Sequence, residues 1–235
     1  MTDSSTIPTI LHRRGFLAGI GMAGGALVLP GCATGFGGPL SFTDAIARLL
    51  FLSTGRAFDR MTAPGGFWDQ QVAQIGLEQM LGARGNTLGR ILTSGLFKDR
   101  LANALAPVAF DATQRAAPVV ADTIRVVGFS NAVDLVRGGP RSATGFLRQE
   151  MGLRLVDAML PAVGNGLRVA SDPLVGQALA AVSGVDIPQI ARNFTARVDE
   201  VIWDQIGYEE EEIRRNPQAT RDPLIIGVFG AANAF

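Results

Sequence analysis

Histidine occurs once in the 235 residues of this chain, at His12, and cysteine once, at Cys32. From residue 13 onward no imidazole is available as base or ligand. Serine–histidine triads, cysteine–histidine dyads, zinc on its usual ligands and haem with a histidine ligand are therefore excluded from that part of the chain. The GxSxG and P-loop patterns are absent as well. No catalytic residue, metal-ligand set or cofactor can be nominated. What remains open to an enzyme is carboxylates working with arginines, as in glycosidases or lyases. Lysine is nearly missing, Lys98 being the only one among 21 basic residues. Basic and acidic residues balance at 21 each, so no global field draws in nucleic acid or an anionic membrane. Thirteen Phe, two Trp and one Tyr leave no stacking platform for single strands, and nucleic acid is not expected as a partner.

The hydrophobic share of 47% is that of a globular chain with a real core. Its charge-free apolar run from Gly15 to Leu29 is broken by five glycines. Fifteen helical residues rise roughly 22 Å, short of the ~30 Å hydrocarbon core, so a stable membrane span is not expected. Within the run, Gly19-Ile-Gly-Met-Ala-Gly24 matches the glycine fingerprint of dinucleotide-binding folds as letters. That fingerprint needs a strand before it and an acid about 20 positions on. Here an arginine pair precedes it and the first acid downstream is Asp44, so the match is set aside.

A basic stretch, a short apolar run and a small-residue exit describe a secretory signal. Arg13-Arg14 followed by Phe16 and Leu17 resembles the twin-arginine export signal, with His12 in place of the usual Ser or Thr and Ala18 in place of Lys. The exit Leu29-Pro-Gly-Cys32 resembles a bacterial lipobox, with an atypical Pro30. The resemblance implies that Cys32 becomes the acylated N-terminus, and Ala33 after it implies the outer membrane. Plain cleavage and a retained anchor are the alternatives. The expected organisation is a signal over 1–31, a lipidated, glycine-rich tether over 32–40 and one helical domain over 41–235.

Ser41-Phe-Thr-Asp44 has the pattern of a capping box opening a first helix, in which Ile46, Leu49, Leu50, Ala57, Phe58 and Met61 recur at helical spacing. Thr62-Ala-Pro-Gly-Gly66 breaks it, and Phe67 to Leu81 reads as two short pieces divided near Gly76. Phe97 to Val127 reads as one or two helices, broken or kinked near Pro107 and Pro118. A short helix over 130–136 ends at Gly138-Gly-Pro140. The next runs from Ser142 to about Leu160 with Phe146, Leu153, Val156 and Leu160 on one face. Pro161, Gly164-Asn-Gly166 and Ser171-Asp-Pro173 read as turns. The last long helix starts at Asp186 and ends near Asn216-Pro217, with Ile190, Phe194, Val198, Val201, Ile202 and Ile206 as its stripe. Leu224 to Phe229 suits either a strand or a terminal helix. The fold class is all-α, a single irregular helical bundle.

Glu209-Glu-Glu-Glu212 is the obvious carboxylate cluster. Four consecutive helical residues point around the helix and do not converge on one ion. Glu210–Arg214 and Glu211–Arg215 stand at i,i+4 in the favourable order, which predicts a solvated helix end laced by ion pairs. Asn193-Phe-Thr195 is a glycosylation sequon without expected use in a bacterial chain. Arg148 and Arg154 lie on the 142–160 helix among few acids; they suit anion ligands, but surface or interhelical pairs are the expectation.

Gly138-Gly139 followed by Ala143, Thr144, Phe146 and Arg148, with Pro161 further on, resembles a large bacterial family of exported helical proteins catalogued as domain of unknown function 4197. Glu209, Glu210, Ile213, Arg214, Asn216, Pro217, Phe229 and Gly230 resemble that family's ending. Two departures mark a divergent member. Pro118 in Gln114-Arg-Ala-Ala-Pro118 stands where the family has a glutamate, and the arginine after Asn-Pro is displaced to Arg221. The resemblance implies an exported α-helical domain at the cell envelope and no particular reaction. Three functions follow for comparison: an envelope lipoprotein acting as a binding or scaffolding module, a carrier of an apolar or lipid ligand between helices, and a carboxylate-dependent enzyme. The expected partners are the membrane, through the lipid anchor, and an envelope protein or lipid.

Overall fold

The computed structural model describes residues 39–75, 95–169 and 187–232. Arg13, Arg14, Phe16, Leu17, Cys32 and the tether as far as residue 38 lie outside the described residues, as do Asp186 and the predicted turn at Ser171-Asp-Pro173. Pro39 and Leu40, the last two residues assigned to the tether, are helical. The described chain forms eight α-helices and one 3-10 turn, with no strand among the described residues. They are α1 Pro39–Thr62, α2 Phe67–Ile75, α3 Gly95–Val126, α4 Ala132–Arg137, α5 Ser142–Met151, α6 Arg154–Val169, α7 Ile187–Arg215 and α8 Pro223–Ala232. The 3-10 turn, Pro217–Thr220, joins α7 to α8.

Helix α1 starts at Pro39, two residues before the expected cap, so Ser41 lies inside the helix. A proline fits the first turn because its missing amide has no intrahelical partner there. Ile46, Leu49, Leu50, Ala57, Phe58 and Met61 are all buried, as their spacing predicts, against α3, α4 and α7. Each such aliphatic side chain contributes roughly 1.5–3 kcal/mol on leaving water. Gly65 and Gly66, both at positive φ, turn the chain into α2.

Of the one or two helices expected over 97–127, one forms: α3 is continuous through Pro107 and Pro118. The two prolines are eleven residues apart, close to three full turns, so they share one face, and both are exposed. Each frees a carbonyl four residues back, at exposed Asn103 and Gln114, where it is open to solvent. Pro161 behaves in the same way. It lies exposed inside α6, which runs on through Gly164-Asn-Gly166 to Val169 rather than turning.

Instead the predicted 142–160 helix divides earlier, at Gly152, whose φ of +55° suits glycine. The division resets the helical phase. Leu153, expected on the buried face, is 71% exposed, while Leu147, Met151, Leu155 and Met159 enter the core. Helix α6 lies against α3 so closely that a Cβ on Gly166 would sit 2.7 Å from Val108 Cγ1. Helix α7 runs as expected, with Ile190, Phe194, Val198, Ile202 and Ile206 buried and Val201 partly so. Leu224 to Phe229 is helical, within α8.

Candidate functional site

The chain turns sharply between α4 and α5, and the ends of both helices meet the last turns of α7. Arg141 stands at the N-cap of α5 and makes no side-chain cap. The orphan amides of Ala143 and Thr144 donate instead to Glu210, at 3.0 Å to Oε1 and 2.6 Å to Oε2. At the closing end of α4, Arg214 donates to the carbonyls of Leu135 and Val136 at 2.9 and 3.1 Å. Arg214 also bonds Glu210 Oε1 through Nε at 2.8 Å and reaches Ser142 Oγ at 3.1 Å. Ser142 Oγ in turn donates to the Leu135 carbonyl at 2.9 Å.

Glu210 is fully buried and the Arg214 side chain nearly so, 11% exposed. A buried ion pair recovers its desolvation only when its remaining hydrogen-bonding capacity is met, and here it is. Each charge also matches a helix dipole: the carboxylate faces an N-terminus and the guanidinium a C-terminus. The ring of Phe229 in α8 lies 4.8 Å from the Arg214 guanidinium carbon, adding a cation–π contact. Gly138 belongs to the same corner because a Cβ there would come within 2.7 Å of Ser142 Cβ. Residues far apart in sequence, from Leu135 to Phe229, thus join in one network.

The expectation of a solvated end for the glutamate run is corrected at its first half. Glu209 is 4% exposed and Glu210 is buried, because α1 and the α4–α5 corner cover that side of α7. Glu209 pairs with Arg60 of α1, whose guanidinium also lies 4.9 Å from the Tyr208 ring. Glu211 is shared by Arg215 at 2.8 Å and Arg141 at 3.1 Å, and Glu212 pairs with Arg215. Both predicted i,i+4 pairs form, and the four carboxylates diverge to separate partners. Among the described residues no group of three or more His, Cys, Asp or Glu is placed to hold a metal ion.

Arg148 makes the expected interhelical pair, 3.5 Å from Asp199 on α7. Asp199 also accepts from Trp203 Nε1 at 3.0 Å. Burial pushes the Asp199 carboxyl up, against the opposing effects of Arg148 and the indole. Arg154 is exposed at the start of α6. Phe146, partly buried, tilts against Phe129 with ring centroids 5.8 Å apart. Ile213 is fully buried, the Asn216 amide closes α7 on the Glu212 carbonyl, and buried Pro217 opens the 3-10 turn, whose Gln218 side chain lies beside Gly230. Beyond it, Asp222 accepts the Leu224 and Ile225 amides and pairs with Arg48 at 2.6 Å. Its partial burial opposes ionisation, but Arg48 and those amides prevail and lower its pKa. Thr195 of the sequon is buried, its hydroxyl on the Ala191 carbonyl.

An open pocket of about 530 Å³ adjoins the network, lined by Val136, Arg137, Gly138, Pro140, Glu211, Arg214, Arg215 and Phe229. Its wall carries three guanidinium groups and one carboxylate, so it lacks the two facing carboxylates that a glycosidase-type reaction requires. Sequence reasoning missed Arg60, Arg137, Arg141, Ser142 and Asp199. Arg137 and Arg141 flank Gly138-Gly-Pro140, whose turn brings both helix ends to α7, and that motif was the one signal available. No local signal marks Arg60, while Asp199 has only the i,i+4 spacing to Trp203.

No helix among the described residues is long and apolar enough to cross a membrane. A family model described as a protein of unknown function (DUF4197) matches residues 39–230. Searches of curated proteins and of solved structures found no match.

Proposed function

This chain belongs to the DUF4197 family, and we propose that it is a cell-envelope lipoprotein whose helical domain is a non-catalytic binding or scaffolding module. The observation that carries the module reading is the use of the family motif's own charges. Glu210 and Arg214 are engaged by two helix ends and by each other, which leaves neither as a proton carrier. The surface beside them is a pocket within the usual range for ligand sites, walled by arginines and apolar side chains.

The envelope part of the proposal rests on sequence. Arg13, Arg14, Phe16 and Leu17 serve as a twin-arginine signal, and Cys32 carries palmitate at the periplasmic face of the outer membrane. Arg13→Lys with Arg14→Lys is expected to block export, and Cys32→Ala to release the domain from membranes. Palmitate incorporation that persisted in Cys32→Ala would remove the anchor from the proposal. For the module, the tethered chain is used to capture partners from envelope extracts, and both proteins and lipids are identified.

A second reading, carriage of an apolar ligand, is favoured by Val136, Pro140 and Phe229 in the pocket wall. A stoichiometric lipid extracted by organic solvent from the purified protein would select it over scaffolding.

A further inference from the structure

We propose that the pocket between α4, α7 and α8 is a binding site for a phosphate group, with Arg137 as its principal contact. This inference rests on the reading of the domain as a binding module and names what the module binds. The three arginines of the wall differ in how far they are already engaged. Arg214 donates to Glu210, Leu135, Val136 and Ser142, so it contributes positive charge more than free donors. Arg215 pairs with Glu211 and Glu212 on an exposed surface, where such pairs are weak and exchange readily. Arg137 is exposed, and among the described residues it makes no hydrogen bond or ion pair. A guanidinium on a pocket wall with its fork of donors unused is suited to an oxyanion.

Two features of the pocket oppose an anion, and both are offset locally. Helices α4 and α7 close there, and helix C-termini repel negative charge. Arg214 covers the last carbonyls of α4, and Arg214 and Arg215 occupy the last turn of α7. The one carboxylate of the wall, Glu211, is shared between Arg141 and Arg215. Arg137 and Arg215 come from the ends of two different helices and line the same pocket. A phosphate group offers three strong acceptor oxygens for the two guanidinium groups to share. Val136 and Pro140 leave an apolar surface beside the cations for the body that carries the phosphate. That body is either a small soluble ester or the glycerol and acyl portion of a phospholipid.

The test uses the full chain carrying Cys32→Ala, so that no acyl group inserts into vesicles. Equilibrium dialysis with inorganic phosphate at low salt is run beside flotation with phosphatidylcholine vesicles, with and without phosphatidylglycerol. Saturable phosphate binding that weakens about tenfold or more in Arg137→Gln supports the site with a soluble ligand. Phosphatidylglycerol-dependent flotation lost in Arg137→Gln, without binding of free phosphate, supports it with a lipid headgroup. Exposed Arg125, at the end of α3, supplies the control: Arg125→Gln leaves either signal intact. If Arg137→Gln matches the parent in both assays, or the parent gives no signal in either, the site is overturned. Capture of an envelope protein that persists in Arg137→Gln would then leave the module reading standing without this pocket.

Discussion

Glu210 and Arg214 stand one turn apart on α7 and cap opposite ends of two successive helices. The glutamate takes the first amides of α5, and the arginine takes the last carbonyls of α4. The pair replaces the local caps that this turn lacks. The strand of sequence from Leu135 to Thr144 supplies glycines and a proline, and its N-cap residue Arg141 provides no acceptor. Docking α7 therefore fixes the α4–α5 corner, and the corner in turn forms one wall of the pocket.

Glu210→Gln is expected to be among the most destabilising single changes in the chain. An amide offers one acceptor where two amide donors and a guanidinium now converge, and Arg214 is left buried without its counter-charge. The loss should be roughly 3–5 kcal/mol, measured by urea denaturation. Glu212→Gln, which breaks only an exposed pair, should cost less than about 1 kcal/mol. Equal effects of the two changes would refute the capping role.

Two glycines of α6, two residues apart, should respond with opposite sign to alanine. Nothing lies within 4 Å of a Cβ on Gly164, so Gly164→Ala should gain about 0.5–1 kcal/mol from helix propensity. A Cβ on Gly166 would meet Val108 at 2.7 Å, and Val108 has little rotamer freedom. Gly166→Ala should cost about 1–3 kcal/mol from overpacking. Adding Val108→Ala should recover part of that loss, a coupling that a double-mutant cycle reads directly.

Helical periodicity made α1 and α7 legible in the sequence, because long apolar stripes with clear ends report which face is buried. It failed for the predicted 142–160 helix, since one glycine at positive φ shifts the phase and moves Leu153 from core to solvent. Prolines misled for a different reason. Pro107, Pro118 and Pro161 all lie on exposed faces, where the freed carbonyl is open to solvent, and burial is invisible to a local reading. The glutamate run was half legible. Spacing gave the pairs Glu210–Arg214 and Glu211–Arg215, but the burial of Glu209 and Glu210 depends on α1 and α5, which are distant in sequence. The Arg60–Glu209 and Arg148–Asp199 pairs form only through tertiary packing, so no spacing announces them, whereas Trp203 stands one turn from Asp199 on the same helix.

Asp199 should make stability fall as pH rises from mildly acidic values. Its folded pKa lies above the ordinary 3.8, raised by burial and by Glu200 and held back by Arg148 and the Trp203 N–H. Between the two values the folded chain keeps a proton that the unfolded chain releases, so stability declines through that window and levels off above it. Asp199→Asn retains an acceptor for Trp203 and should abolish this decline in denaturant midpoints followed from about pH 4 to 7. Arg148→Gln should extend the decline to higher pH. An unaltered profile in Asp199→Asn would assign the decline to other groups.

Thr144 contributes its amide to Glu210, while its hydroxyl is buried without a hydrogen-bond partner among the described residues. Thr144→Val keeps the shape and the amide bond and removes the unpaired polar atom, so stability should stay level or rise by up to about 1 kcal/mol. Thr113 is the matched contrast, fully buried with its hydroxyl on the Ala109 carbonyl at 2.8 Å. Thr113→Val should lose about 0.5–1.5 kcal/mol. Thermal melts of the two variants separate the cases. A loss in Thr144→Val as large as that in Thr113→Val would mean that the Thr144 hydroxyl is engaged, and would move it into the capping network beside Glu210.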